Sequence, residues 1–186
     1  PSAWRGKMGN TGLHYSQWRY GAAWYDGKIG PAARDNGAPG VPVQLVVPRL
    51  GVRDVVEQVG KDAKGNMDVP KDWHNAAWYA PGYRPGQPGN AAMAGHLNWY
   101  GVPQAVFFGL KDLAPGDMVY ARDDSGHDRG FRVLENTTCP WDDCPVNEIF
   151  GGNAQARLNL ITCQGVFDRN AANYSRRQVV YTQMVP

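Results

Sequence analysis

A chain of 186 residues is long enough for one domain with its own hydrophobic core and too short for two of ordinary size. Charged residues make up only 19% of it, the formal charge is +2, and Lys and Arg gather in no run, so the electrostatic footprint of a nucleic-acid-binding protein is missing. With 23 Gly, 14 Pro, seven Trp and nine Tyr, the composition favours short strands joined by many turns over a helical bundle.

Residues 1–40 carry aromatics and glycines ("HYSQWRYGAAWYDGKIGPAARDNGAPG") but sustain no period of 2 or 3.6, which predicts an irregular N-terminal extension. The opening "PSAWRGKMGN" lacks a basic-then-apolar signal pattern, and no apolar stretch approaches the roughly 20 residues needed to span a bilayer. The chain as it stands is expected to be soluble. Its start without Met fits a mature form, or a cut piece of a longer chain, whose membrane anchor lay upstream, with residues 1–40 as the expected linker.

From Val41 the pattern changes, and residues 41–186 are expected to form one all-β domain. In "VPVQLVVPRLGV" the apolar residues Val43, Leu45 and Val47 alternate as in a strand with one buried face. Further strands are predicted at "RDVVEQVG", "NAAMAGH", "DMVYAR", "GFRVLENTT", "ARLNLITC" and "RQVVYTQM". Turn signals such as "PGYRPGQPGN", "APGD" and "DDSGHDRG" separate them, a spacing that fits a closed or nearly closed antiparallel barrel. "QAVFFGLKDL" reads as the best short helix or turn, and "CPVNEIFGG" as a second single turn.

Two of the three cysteines, Cys139 and Cys144, stand close together beside Pro140 and Pro145. A small-loop disulfide outside the reducing cytosol is the expected state, because a zinc site would need two more ligands that no nearby His or Cys supplies. The acidic stretches "WDDC" and "ARDDSGHD" lack the alternating ligand spacing of a calcium loop and read as solvated turns.

Cys163 ends the apolar run "LNLITC" and is followed closely by Gly165. A buried cysteine in a strand is ordinarily a small hydrophobe, whereas a nucleophile must ionise and needs a cation or base beside it. Of four histidines, His96 in "MAGHLNWYG" has the best context: it ends a small-residue, strand-like segment, and Gly95 permits close approach. His74 lies in a polar stretch, His127 in an acidic turn and His14 in the extension. In "NYSRRQVVYTQ", Arg176 and Arg177 open the strand that returns beside Cys163; successive residues face opposite sides, so only one of the two can look toward the thiol. A guanidinium there could donate to a developing oxyanion.

"AGHLNW", "LNLITCQG" and "SRRQVVYTQ", in that order, make the chain from about Val41 to its end resemble a sortase, a cysteine transpeptidase of Gram-positive surfaces. The stretch "VPKDWHNAAWYAPGYRPGQPGNAAMAGH" is most similar to sortases of class E or F. The resemblance implies an all-β, sortase-like closed antiparallel barrel of about eight strands. It also implies His96 as general acid/base, Cys163 as nucleophile and Arg176 as the oxyanion and substrate-positioning group, with Arg177 as the alternative. Thr162 is then a residue that could orient substrate through its hydroxyl or backbone.

The implied reaction cleaves a Leu-x-x-Thr-Gly-like sorting signal at the Thr carbonyl through a thioester and passes the acyl group to an amine. It needs no cofactor and no metal. The implied partners are the C-terminal sorting signal of secreted proteins and an amine of a peptidoglycan precursor, at the extracellular face of the membrane or in the cell wall. A cysteine hydrolase, and a noncatalytic extracellular β-barrel with Cys163 merely buried, are the rival readings. A peptidoglycan L,D-transpeptidase would require a Ser-His-Gly-Cys type stretch that the chain lacks.

Overall fold

The computed structural model describes residues 38–186, so the expected extension lies, up to residue 37, outside the described residues. Eight strands close into one barrel: β1 (Pro42–Val47), β2 (Val52–Val59), β3 (Ala76–Tyr79), β4 (Gly89–Gly95), β5 (Met118–Asp123), β6 (Asp128–Pro140), β7 (Ala156–Asp168) and β8 (Asn173–Met184). Around the barrel the order is β1-β2-β3-β4-β7-β8-β6-β5.

The expected closure is present, but the barrel is mixed: β2 with β3 and β4 with β7 pair in parallel, and the remaining neighbours are antiparallel. Parallel neighbours require a crossover. The long connection from Val59 to Ala76 supplies the first, and β5, β6 and the short helix α1 (Val146–Phe150) supply the second.

Local chemistry explains most boundaries. Strand β1 ends in a single 3-10 turn, Pro48–Leu50, closed by Gly51 at φ 67, a left-handed conformation that glycine adopts without strain. The alternation read from Val43, Leu45 and Val47 holds only in part. Leu45 and Val47 are buried, yet Val43 is exposed, because the β1–β5 register slips between Pro42 and Gln44 and turns Val43 outward.

Strand β3 was not legible as a strand. Its four residues Ala76, Ala77, Trp78 and Tyr79 show no alternation, since the first three are all buried. Trp78 joins the core while its indole N–H donates to the Tyr83 carbonyl at 2.9 Å. Within "QAVFFGLKDL" only Leu110–Asp112 forms a 3-10 turn, and Phe107 and Leu110 enter the core there.

Residues on one face of the strands, among them Leu45, Val47, Met93, Phe131, Leu158, Leu160 and Val180, fill the barrel. A second, smaller apolar cluster of Cys139, Ile149, Val179 and Tyr181 lies on the opposite face, with α1 supplying Ile149. The acidic turn "ARDDSGHD" closes the β5–β6 hairpin. Its Asp123 carboxylate accepts from the backbone N–H groups of Gly40, Ser125 and His127 and from the Arg129 guanidinium at 2.5 Å. Burial would raise the Asp123 pKa, but these bonds outweigh it and hold the group below its ordinary value. Among the described residues no helix is long and apolar enough to cross a membrane.

Candidate active site

The site is built by strand register. In β7–β8, Ile161 faces Val179 and Cys163 faces Arg177; in β6–β8, Cys139 also faces Arg177. Directly opposed residues share a face, so Cys139, Arg177 and Cys163 form one row across three strands. The parallel β4–β7 register ends at Ala94 opposite Ile161, and continuing it by two residues brings His96 level with Cys163. Cys163 and Arg177 therefore face each other on β7 and β8, and His96, one residue past the end of β4, falls at their level by extension of the β4–β7 register.

The two arginines sit the other way round from the expectation that Arg176 faces the thiol. Arg176 pairs with Gln164 and points to the opposite face. There its guanidinium donates to the Thr138 hydroxyl at 2.7 and 3.0 Å and to the Thr138 carbonyl at 3.2 Å. Arg177 is half-buried. Its Nη1 donates to the carbonyls of Tyr174 (3.3 Å) and Arg176 (3.0 Å), and its Nη2 donates to Asn173 Oδ1 (2.7 Å). A guanidinium carries five N–H donors, and these bonds leave the Nε–H and one Nη2–H available.

Cys163 is a free thiol of intermediate exposure. Burial pushes its pKa above the ordinary thiol value, while the Arg177 guanidinium pulls the other way. At neutral pH the resting thiol is mainly protonated, so it must be deprotonated before or during attack. His96 lies just beyond the end of β4, with its Nε2 2.8 Å from the Pro70 carbonyl oxygen. A carbonyl only accepts, so Nε2 carries the proton and Nδ1 is the basic nitrogen of the neutral ring. Trp99 packs edge-on against this imidazole, with ring centroids 4.6 Å apart. Nearby, Asn98 Nδ2 donates to the Tyr174 hydroxyl at 2.6 Å and so joins the loop after β4 to the β7–β8 hairpin.

Thr162 is not turned toward this face. It is buried, and its hydroxyl donates to the Gly95 carbonyl at 2.8 Å, tying β7 to β4 immediately below the His96–Cys163 level. Gly95 is demanded by packing: a Cβ there would stand 2.6 Å from the Phe107 ring. Gly165 adopts φ +89, and a Cβ would come within 2.3 Å of Ser175 Oγ. That position starts the slip in the β7–β8 register between Gln164 and Phe167, just after the thiol.

Cys139 and Cys144 are joined in a disulfide with Cα atoms 5.2 Å apart, which holds the start of the segment carrying α1. Of the other histidines, His74 Nδ1 lies 3.2 Å from Asp72 Oδ1, His127 is in the β5–β6 turn, and His14 is outside the described residues. The aromatics of "HLNWYG" and "WHNAAWYAPGY" read from sequence as neighbours of His96, walling a groove or capping the barrel, whereas the Asn98–Tyr174 link left no sequence signal.

The fold is shared with solved structures. Sortase A from Corynebacterium diphtheriae superposes with a TM-score of 0.62 at 18% identity, over 81% of this chain and 62% of that one. Sortase A from Listeria monocytogenes gives 0.60 at 21% identity over 80% and 89% of the two chains, and sortase C-1 from Actinomyces oris 0.59 at 20% over 78% and 75%. This chain thus spans less than two thirds of the length of the Corynebacterium protein. No curated protein sequence matches it. The sortase-domain family model matches residues 45–185, three quarters of the sequence, and the chain belongs to the sortase family.

Proposed function

We propose that the chain is a cysteine transpeptidase in which Cys163 attacks the Thr carbonyl of a Leu-x-x-Thr-Gly-like sorting signal. The observation that carries this reading is the pairing of Cys163 with Arg177 across β7 and β8, with His96 one residue past the end of the neighbouring β4. The thiol proton passes to a base as the C–S bond forms, and His96 Nδ1 is the candidate acceptor. The tetrahedral oxyanion takes hydrogen bonds from the remaining N–H groups of Arg177. Collapse expels the distal peptide as an amine, which receives a proton from His96, and leaves a thioester on Cys163. An incoming amine then attacks the thioester, its proton returns to His96, and a new amide leaves.

Arg177 replaces Arg176 in this scheme because it is the arginine opposite the thiol. Thr162 serves as a strut beneath the site through its bond to Gly95. The segment from Val69 to His96 supports assignment to class E or F. The acyl donor is the sorting tail of a secreted protein and the acceptor a cell-wall amine, at the extracellular face of the membrane. We propose a domain boundary near residue 40.

The test is a panel of Leu-x-x-Thr-Gly peptides, varied at the second and third residues, each offered with several amines. Amide products joined at Thr are expected. Cleavage with no transfer to any amine would favour a hydrolase, and no reaction at all with a thiol that resists alkylating probes would favour a noncatalytic barrel.

A further inference from the structure

At the far end of the same outer face lies a cavity of about 400 Å³, lined among others by Asn90, Glu135, Asn147, Glu148, Arg157 and Tyr181. It is built from two ladder pairs, Asn90 with Arg157 on β4–β7 and Glu135 with Tyr181 on β6–β8. Arg157 is six residues before Cys163 on β7, roughly 20 Å away at ~3.3 Å per residue, so the cavity is separate from the thiol. Helix α1 borders it through Asn147 and Glu148.

Its polar groups are incompletely satisfied. Asn90 is 3% exposed; its Nδ2 donates to the Glu148 carbonyl at 3.0 Å, but its Oδ1 has no hydrogen-bond partner. The buried Arg157 Nε also lacks one. A buried polar atom without a partner is costly, and an acceptor and a donor left so beside one cavity call for a ligand that offers both complements. The carboxylates of Glu135 and Glu148 stand near the Tyr181 phenol. Burial pushes its pKa up, and these two charges push it further. Among the described residues neither glutamate is held in an ion pair. Two carboxylates against one guanidinium leave the cavity with one negative charge in excess.

We propose that this cavity binds the cationic side chain of a peptide, with the ammonium or guanidinium directed to Asn90 Oδ1 and the two glutamates and a neighbouring peptide carbonyl accepting from Arg157 Nε. The inference rests on the transpeptidase reading only for the source of that peptide. One source is the polypeptide being transferred, whose extended chain would reach the cavity about six residues upstream of the scissile Thr. The other is the stem peptide that carries the acceptor amine.

The first experiment needs no turnover. Cys163→Ala protein labelled with ¹⁵N is titrated with a blocked Gly-Lys-Gly tripeptide and with its norleucine counterpart. Saturable shifts at the Asn90 side-chain amide and Arg157 Nε are expected with the lysine peptide only. The folded double variant Glu135→Gln/Glu148→Gln should bind about tenfold more weakly or worse, since it loses the charge-assisted bonds. No saturable shift, equal shifts with norleucine, or undiminished binding in the double variant overturns the site, and the transpeptidase reading would still stand.

The second experiment identifies the source in the active chain. A preference for Lys over Ala about six residues upstream of Thr, lost in the double variant, assigns the cation to the transferred polypeptide. Absence of that preference, with selective loss of transfer to a stem-peptide amine, assigns it to the acceptor. Binding without either effect overturns a role in transfer.

Discussion

Replacing Arg177 by Lys isolates the guanidinium's geometry from its charge. Arg177 faces Cys163 across the β7–β8 ladder, and its bonds to Tyr174, Arg176 and Asn173 hold the group in place while leaving Nε–H and one Nη2–H outside those bonds. Lysine keeps the positive charge but has three donors on one rotatable nitrogen and no planar fork. Loss of an oxyanion donor typically costs 10²–10³ in kcat, about 2.7–4 kcal/mol, and that is the loss expected for Arg177→Lys. Arg176→Lys instead disturbs exposed bonds to Thr138 on the other face. It should cost less than about 1 kcal/mol of stability and change transfer by no more than about twofold. Initial rates of amide formation from a quenched sorting peptide, with circular dichroism melts of both variants, give the comparison. Normal transfer by Arg177→Lys with severe loss in Arg176→Lys would refute the strand-register argument. Normal transfer in both would remove arginine from the mechanism.

Three further perturbations probe the same structure. Alkylation of Cys163 should rise with pH along a titration above the ordinary thiol value, because burial disfavours the thiolate; Arg177→Gln should move that titration higher still, and a downward move would contradict the opposing roles of burial and guanidinium. Cys139→Ala/Cys144→Ala opens a short loop and should lower stability by about 2 kcal/mol, a melting shift of roughly 4–8 °C, with α1 losing its hold on the outer cluster; an unchanged melt would mean the bridge constrains nothing. Burial raises the Asp54 carboxyl to about 6, with Asp72 adding to the rise and His74 opposing it. The folded state then binds the proton more tightly than the unfolded chain, so stability falls as pH climbs from about 4 to about 6. Asp54→Asn should therefore stabilise the protein by about 1–2 kcal/mol at pH 7.5 and by little at pH 4, as denaturant melts at the two values would show.

Much of the barrel was legible because half-buried strands write their faces into the sequence. "ARLNLITC" gives Leu158 and Leu160 to the core and Asn159, Ile161 and Cys163 to the outer face. Strand β3 escaped because it is buried along most of its four residues, and burial on both faces erases alternation. The parallel pairings were hidden for another reason: alternation specifies a face, while direction depends on the crossover. The choice between Arg176 and Arg177 could not be made from spacing, since the turn and the slip after Gln164 decide which residue meets Cys163. Likewise Thr162 reads the same in sequence whether its hydroxyl meets substrate or Gly95; only the parity of β7 against β4 decides. The cavity beside Asn90 and Arg157 leaves no motif, because its residues come from four strands and from α1.

The most direct test of the central claim is the intact mass of the protein after brief exposure to a Leu-x-x-Thr-Gly peptide without an added amine, followed by acid quench and peptide mapping. The account predicts an adduct equal to the peptide up to and including Thr, attached at Cys163, discharged by hydroxylamine or an amine nucleophile, and absent from Cys163→Ala, which should fold normally. An adduct on another residue, or turnover of the peptide by Cys163→Ala at an undiminished rate, would contradict it.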